Sequence, residues 1–350
     1  MRFSVVLAEA SVVLLVSSHV KAEGHAGPTS MVAKMLDSTT MISLNHLWTK
    51  QSPILALNPP YNISLTGTHA DSAAMLPPPL TAVGDVMQFS GHHGAPTIDA
   101  IGHIGENATL YGGINASTVE SPDGLKKLGI DEYPEDKYLN RGILLDMPYC
   151  LGNVPRLENG YEVTQDDIEA CVEQLNLNIL EGDSILLRTG FGQLFESDVE
   201  TYLSNQAGGG DGASKYLASL KIFLTGADNF GWDAAGLPFP SHLNFIPRNG
   251  IYIVENMNLE ALAAECQRRG NWEFLLVVNP PKIKGATAMA VNSFAMFVDT
   301  EDGSLCDNPC LNGGGEVIDN GDSSATSWKS VGFASVLLAA SIVCLASELF

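Results

Sequence analysis

From residue 142 onward the sequence alternates between short apolar runs and amphipathic stretches, and few architectures satisfy that alternation. GILLDM (Gly142–Met147), SILLRTG (Ser184–Gly190), KIFLTGAD (Lys221–Asp228), GIYIVENM (Gly250–Met257) and FLLVVNP (Phe274–Pro280) have the length and composition of buried strands. Between them, VTQDDIEACVEQL carries Thr164 and Asp167 in a capping-box spacing and sets Ile168, Cys171, Val172 and Leu175 on one helical face. ASKYLASLK and NLEALAAECQRR read as further helices. Strands interleaved with helices imply an α/β core. The chain of 350 residues, 45% hydrophobic, can fill one large domain, and no internal repeat divides it.

Before that core, Met41 to Asp71 is loop-rich with short strand-like pieces, and LPPPL (Leu76–Leu80) reads as an extended connector. After Asp299 the chain turns acidic and rich in glycine. The expected domain therefore runs over 28–300, with a linker at 301–330. Acidic residues outnumber basic ones 40 to 18, so nucleic acid is excluded as a partner, because nothing here could neutralise phosphates.

Both termini look like targeting segments. Residues 1–22 read as a secretory signal peptide, with Val20-Lys21-Ala22 as the cleavage site. The apolar run Val331 to Phe350 is long enough to span ~30 Å as a helix. No basic segment follows it, and small residues between Asn320 and Ala325 precede it, which fits a glycosylphosphatidylinositol signal better than a spanning helix. Sequons at Asn62, Asn107 and Asn115 agree with the secretory route. The expected location is the cell surface or its exterior, with the membrane reached through the tail. Of the six cysteines, Cys150, Cys171 and Cys266 fall in the domain, an odd number that leaves at least one thiol free or paired outside it.

Two runs have the residue types of a metal site: LTGTHADS (Leu65–Ser72) and SGHHGAPTIDAIGHIG (Ser90–Gly105). Together with GILLDM, GDSILLRTGF, TGADNFGWD, His242 ahead of GIYIVENMNLEAL, and KIKGATA, this order resembles the cyclase-like metal-dependent hydrolases, which include bacterial kynurenine formamidase and isatin hydrolase. The resemblance covers roughly Met41 to Val298. That family carries a His-x-Gly-Thr-His-x-Asp run with a further His four residues past the Asp. Placed on Asp71, the pattern puts Leu65 and Met75 at ligand positions, and neither side chain binds a hard cation. Placed on Asp99, it finds His93 and His103. One departure remains: Thr97 stands where the family has its second histidine.

The resemblance implies an α/β fold of the swivelling β/β/α type, a single domain with a mixed sheet and flanking helices. It implies a divalent metal, zinc or manganese, on His93, Asp99, His242 and Glu255, with His103 as the catalytic acid/base. The implied reaction is hydrolysis of a small amide, formamide or lactam, and the implied assembly is a homodimer. Segments around Arg188, Asp228 and Trp232 are expected to wall the site. The rival reading takes Thr97 as the mark of a pseudoenzyme that serves as a cell-surface binding or structural glycoprotein.

Overall fold

Nine strands hydrogen-bond into one mixed sheet in the computed structural model, which describes residues 31–54, 58–59, 61–92, 95–236 and 239–299. The segments expected to be signal, linker and tail, with Cys306, Cys310 and Cys344, lie outside the described residues, as does His93. Among the described residues no helix is long and apolar enough to cross a membrane. The short helix Met31–Asp37 belongs to a separate unit that ends at Ser38. The sheet lies wholly in the unit beginning at Thr39.

The strands are β1 (Thr39–Ser43), β2 (Thr97–Asp99), β3 (Leu139–Asp146), β4 (Ser184–Arg188), β5 (Leu224–Ala227), β6 (Tyr252–Glu255), β7 (Glu273–Asn279), β8 (Ala288–Ala290) and β9 (Asn292–Val298). Their order across the sheet is β1-β9-β7-β3-β4-β5-β6-β2-β8. The four central strands, β3 to β6, are parallel, and antiparallel strands extend the sheet on both sides. Every residue of β4 and β5 is buried, as parallel strands covered on both faces require. β7 and β9 instead alternate buried and half-buried residues, the period-two signature of strands with one wetter face.

Four longer helices pack with the sheet: α1 (Gln165–Gln174), α2 (Asp211–Ser219), α3 (Pro240–Asn249) and α4 (Glu260–Arg269). The capping box of α1 is formed, with Thr164 accepting from the Asp167 amide and Asp167 accepting from the Thr164 amide. α1 packs on α2, α2 on α3, and α3 on β6. The LPPPL segment corrects the expectation of an extended connector, because the Leu80 amide bonds the Pro77 carbonyl and closes a turn. α3 is absent from the sequence reading, since its two prolines look like breakers. Pro240 is its first residue, where the missing amide costs nothing, and Pro247 falls in the last turn.

Cys150 and Cys171 form a disulfide, and Cys266 is free and buried. The bridge ties the segment after β3 to α1 across a separation of 21 residues. Closing a loop of that size in the unfolded chain stabilises the fold by about 3 kcal/mol. The double substitution Cys150→Ser with Cys171→Ser is expected to lower unfolding free energy by that amount, read from the denaturant midpoint at unchanged slope.

Candidate active site

The LTGTHADS run proves to be a helix start. Thr68 caps a five-residue helix, His69–Ala73, and Asp71 completes a capping box by accepting from the Thr68 amide and hydroxyl. His69 bonds the Thr81 hydroxyl, and the whole group is exposed. Residue types that suggest a metal here serve a local hydrogen-bond pattern.

The second run builds the cavity. β2 lies antiparallel to β6 with Asp99 opposite Ile253 and Thr97 opposite Glu255, so the carboxylates of Asp99 and Glu255 share one face of the sheet at neighbouring positions. His103 sits four residues past Asp99, in the turn after β2. α3 brings His242 onto the same face from its first turn. Asp99, His103, His242 and Glu255 all line one cavity of about 380 Å³. Arg188 corrects the expected walls. It is buried in an ion-pair network with Asp146 at 2.6 Å and Glu260 at 2.8 Å and does not reach the cavity. Asp228 is likewise occupied, accepting from the Thr189 amide and hydroxyl and the Gly190 amide. Trp232 is fully buried with its indole N–H on Thr225, and Phe230 and Gly231 from the same segment are what face the cavity. Gly231 sits at φ +91, where a side chain would strain the backbone.

The charges converge tightly. Asp99 Oδ2 lies 3.8 Å from His242 Nε2 and 3.9 Å from His103 Nε2, and His242 Nε2 is 3.2 Å from Glu255 Oε1. His92 adds a third imidazole, its Nδ1 3.5 Å from Asp99 Oδ1 and its ring centroid 4.1 Å from that of His103. Gly91 sets this up: a Cβ there would stand 2.2 Å from the Ala288 carbonyl oxygen, so the loop can lie this close to β8 with glycine alone. Burial works to raise Asp99, but His103, His92 and His242 hold it below the usual carboxylate range. Burial and the Asp99 charge push Glu255 up. Burial opposes a charge on His242, yet the hydrogen bonds to Asp233 and Glu255 and the nearby Asp99 raise it to about 10. Burial pushes His103 below the usual imidazole value, the Asp99 charge opposing it in part.

Asp99 Oδ2 is buried and has no hydrogen-bond partner among the described residues. An orphaned carboxylate oxygen at that depth is costly unless something positive meets it. Ligand atoms of Asp99, His242 and Glu255 lie within 4.8 Å of one another, as do those of His92, Asp99 and His103. The 3.8 Å from Asp99 Oδ2 to His242 Nε2 and the 3.2 Å from His242 Nε2 to Glu255 Oε1 suit atoms that share a cation through bonds of ~2.0–2.2 Å. The donor set, imidazole with carboxylate, fits a divalent metal ion.

Asp233 and His92 were not singled out by sequence reasoning as site residues. Asp233 Oδ2 is 2.7 Å from His242 Nδ1, and its Oδ1 accepts the Ser241 amide at the start of α3. One carboxylate thus caps the helix and fixes which His242 nitrogen faces Asp99 and Glu255. The signal was within reach, as Asp233 ends the TGADNFGWD run. The change Asp233→Asn is expected to weaken divalent-metal binding ~10–100-fold, checked by calorimetric titration.

Thr97 is fully buried, its hydroxyl 2.9 Å from the Gly91 carbonyl and 3.3 Å from that of Met289. It is engaged by backbone rather than aimed at the cluster.

The crystal structure of a novel cyclase is 26% identical to this chain, with a TM-score of 0.67 over 77% of this chain and 91% of that one. Isatin hydrolase A from Labrenzia aggregata, bound to benzyl benzoate, is similar in fold at 20% identity and TM-score 0.58, covering 75% of this chain and 96% of its own. A predicted metal-dependent hydrolase from Bacillus stearothermophilus shares the fold at 17% identity and TM-score 0.51, over 74% of this chain and 98% of that one. No curated protein sequence matches the chain. A match to the Cyclase family covers residues 42–234, more than half of the sequence, and with it the chain belongs to that family.

Proposed function

We propose that the protein is a metal-dependent hydrolase of a small amide, formamide or lactam. The observation that carries this reading is the convergence of Asp99, His242, Glu255 and His103 on one small-molecule-sized cavity. Asp99, His242 and Glu255 would hold a divalent ion. When bound, such an ion supplies a Lewis acid that polarises a carbonyl and acidifies water. His103, neutral near pH 7 because burial lowers its pKa, takes a proton from the attacking water and returns it to the leaving nitrogen. Asp233 holds His242 in one orientation throughout. His92 packs on His103 and fixes its ring plane against Asp99. Similarity of fold to isatin hydrolase supports a cyclic or aryl amide as substrate.

The Cys150–Cys171 bridge and the exposed sequon residues Asn62, Asn107 and Asn115 support a secreted, glycosylated protein, anchored through residues 331–350 and dimeric as the family resemblance implies. One observation favours the second reading, a pseudoenzyme that binds without turnover: Thr97 offers the cluster no ligand. Assay of the purified protein, loaded with Zn²⁺ or Mn²⁺, against formanilide and isatin separates the two. Turnover that disappears on chelation and returns with metal supports the hydrolase, and metal binding without turnover supports the pseudoenzyme.

A further inference from the structure

We infer that the cavity accepts substrates whose non-reacting part is uncharged and apolar, and turns away those carrying an anionic substituent. This rests on the hydrolase reading for the reaction but on the walls for the selection. Away from the ionisable cluster the lining is Ile104, Phe230, Phe239, Leu243 and the single amide of Asn58. No lysine or arginine lines it among the described residues. The sequence around these lining residues, over 55–60, 90–104 and 228–247, contains neither residue. Arg248, just beyond, is committed to Glu106 and to Asn244.

The three imidazoles that could answer a negative charge already face one. His92, His103 and His242 all lie against Asp99, and His242 is also paired with Asp233 and Glu255. A divalent ion on Asp99 and Glu255 is balanced by those two carboxylates, which leaves no surplus positive charge for a distant anion. An anionic group on the far side of the substrate would therefore give up water against these walls without gaining a partner. The formal net charge of −22 adds a repulsive field on approach. A neutral ring gains instead, lying against the faces and edges of Phe230 and Phe239.

The test compares formanilide with its 4-sulfonate on the metal-loaded protein at fixed ionic strength, since a sulfonate ligates metals poorly and sits opposite the amide. The expected kcat/KM for the sulfonate is at least ~100-fold lower, as an unpaired buried charge implies. Binding of both probes is read in parallel by calorimetry. If formanilide binds well and the sulfonate does not, while neither is hydrolysed, the selection stands and the hydrolase reading fails. Equal kcat/KM, equal affinity, preference for the sulfonate, or binding of neither probe overturns the inference. The change Leu243→Lys supplies the missing cation and is expected to narrow the gap at least ~10-fold. An unchanged gap in a folded Leu243→Lys protein counts against the walls as its cause.

Discussion

Replacing His242 with alanine is expected to weaken divalent-metal binding by more than the ~10–100-fold that loss of an outer partner costs, because it removes an inner donor and leaves Asp233 and Glu255 facing each other as buried carboxylates. The same residue makes binding depend on pH. In the metal-free protein His242 is raised to about 10, the hydrogen bonds to Asp233 and Glu255 outweighing burial, so near pH 7 both its nitrogens carry protons. Nε2 must give up its proton to become a donor, and wild-type affinity should rise ~tenfold per pH unit between pH 6 and 8.5 with about one proton released. Calorimetry in buffers of different ionisation heat reads that proton directly. The linkage sign for folding runs the other way. A histidine raised above its usual 6.5 stabilises the metal-free fold below that value, and the contribution is lost as pH climbs toward 10. Metal-free protein should thus lose stability on the alkaline side, and loaded protein should lose less.

The change His103→Gln is expected to lower kcat ~10²–10⁴-fold with metal content unaltered, the usual worth of a positioned acid/base. His103 touches Asp99 from the cavity side and lies outside the Asp99, His242 and Glu255 trio. Because burial holds its pKa below 6.5, the neutral, proton-accepting form persists into mildly acidic solution. The acid limb of kcat/KM should therefore fall with a midpoint below 6.5 and should vanish from the residual activity of the variant. Retention of wild-type kcat by His103→Gln would remove the residue from the mechanism.

Much of the core can be read from the chain because its signals are local. The capping box at Thr164, the apolar run at Ser184–Arg188 and the helix at Glu260–Arg269 each follow from a short pattern with one physical cause. The misses are non-local. β2 is three residues long, too short for any periodic signal, and exists because β6 and β8 pair with it on either side. α3 looks like a proline-rich loop until Asp233, seven residues before its start, caps it through space.

The site divides along the same line. Asp99, Glu255 and His242 could be tied together by an ordered series of motifs, since each motif places its residue at an element's end. Asp233 escaped because its role is defined by contacts with another element, 2.7 Å to the His242 ring and 2.9 Å to the Ser241 amide. Arg188 and Asp228 sit at the ends of central strands where site residues gather, yet ion pairs and backbone amides consume both side chains, and it is Phe230 and Gly231, just past Asp228, that line the cavity. Position 97 shows what spacing alone leaves out. The residue shares a sheet face with Asp99, but its hydroxyl is turned to two carbonyls, and a histidine there would need room that a fully buried position lacks.

Metal content and formanilide turnover measured together on the same purified sample, before chelation, after it and after reloading, decide whether the Asp99, His242 and Glu255 cluster is a metal centre that drives hydrolysis. The expected result is bound divalent metal in the wild type, turnover that falls to background on its removal and returns with Zn²⁺ or Mn²⁺, and neither metal nor turnover in Glu255→Ala. Turnover that survives complete metal removal, or a folded Glu255→Ala protein that keeps its metal and its activity, would contradict it.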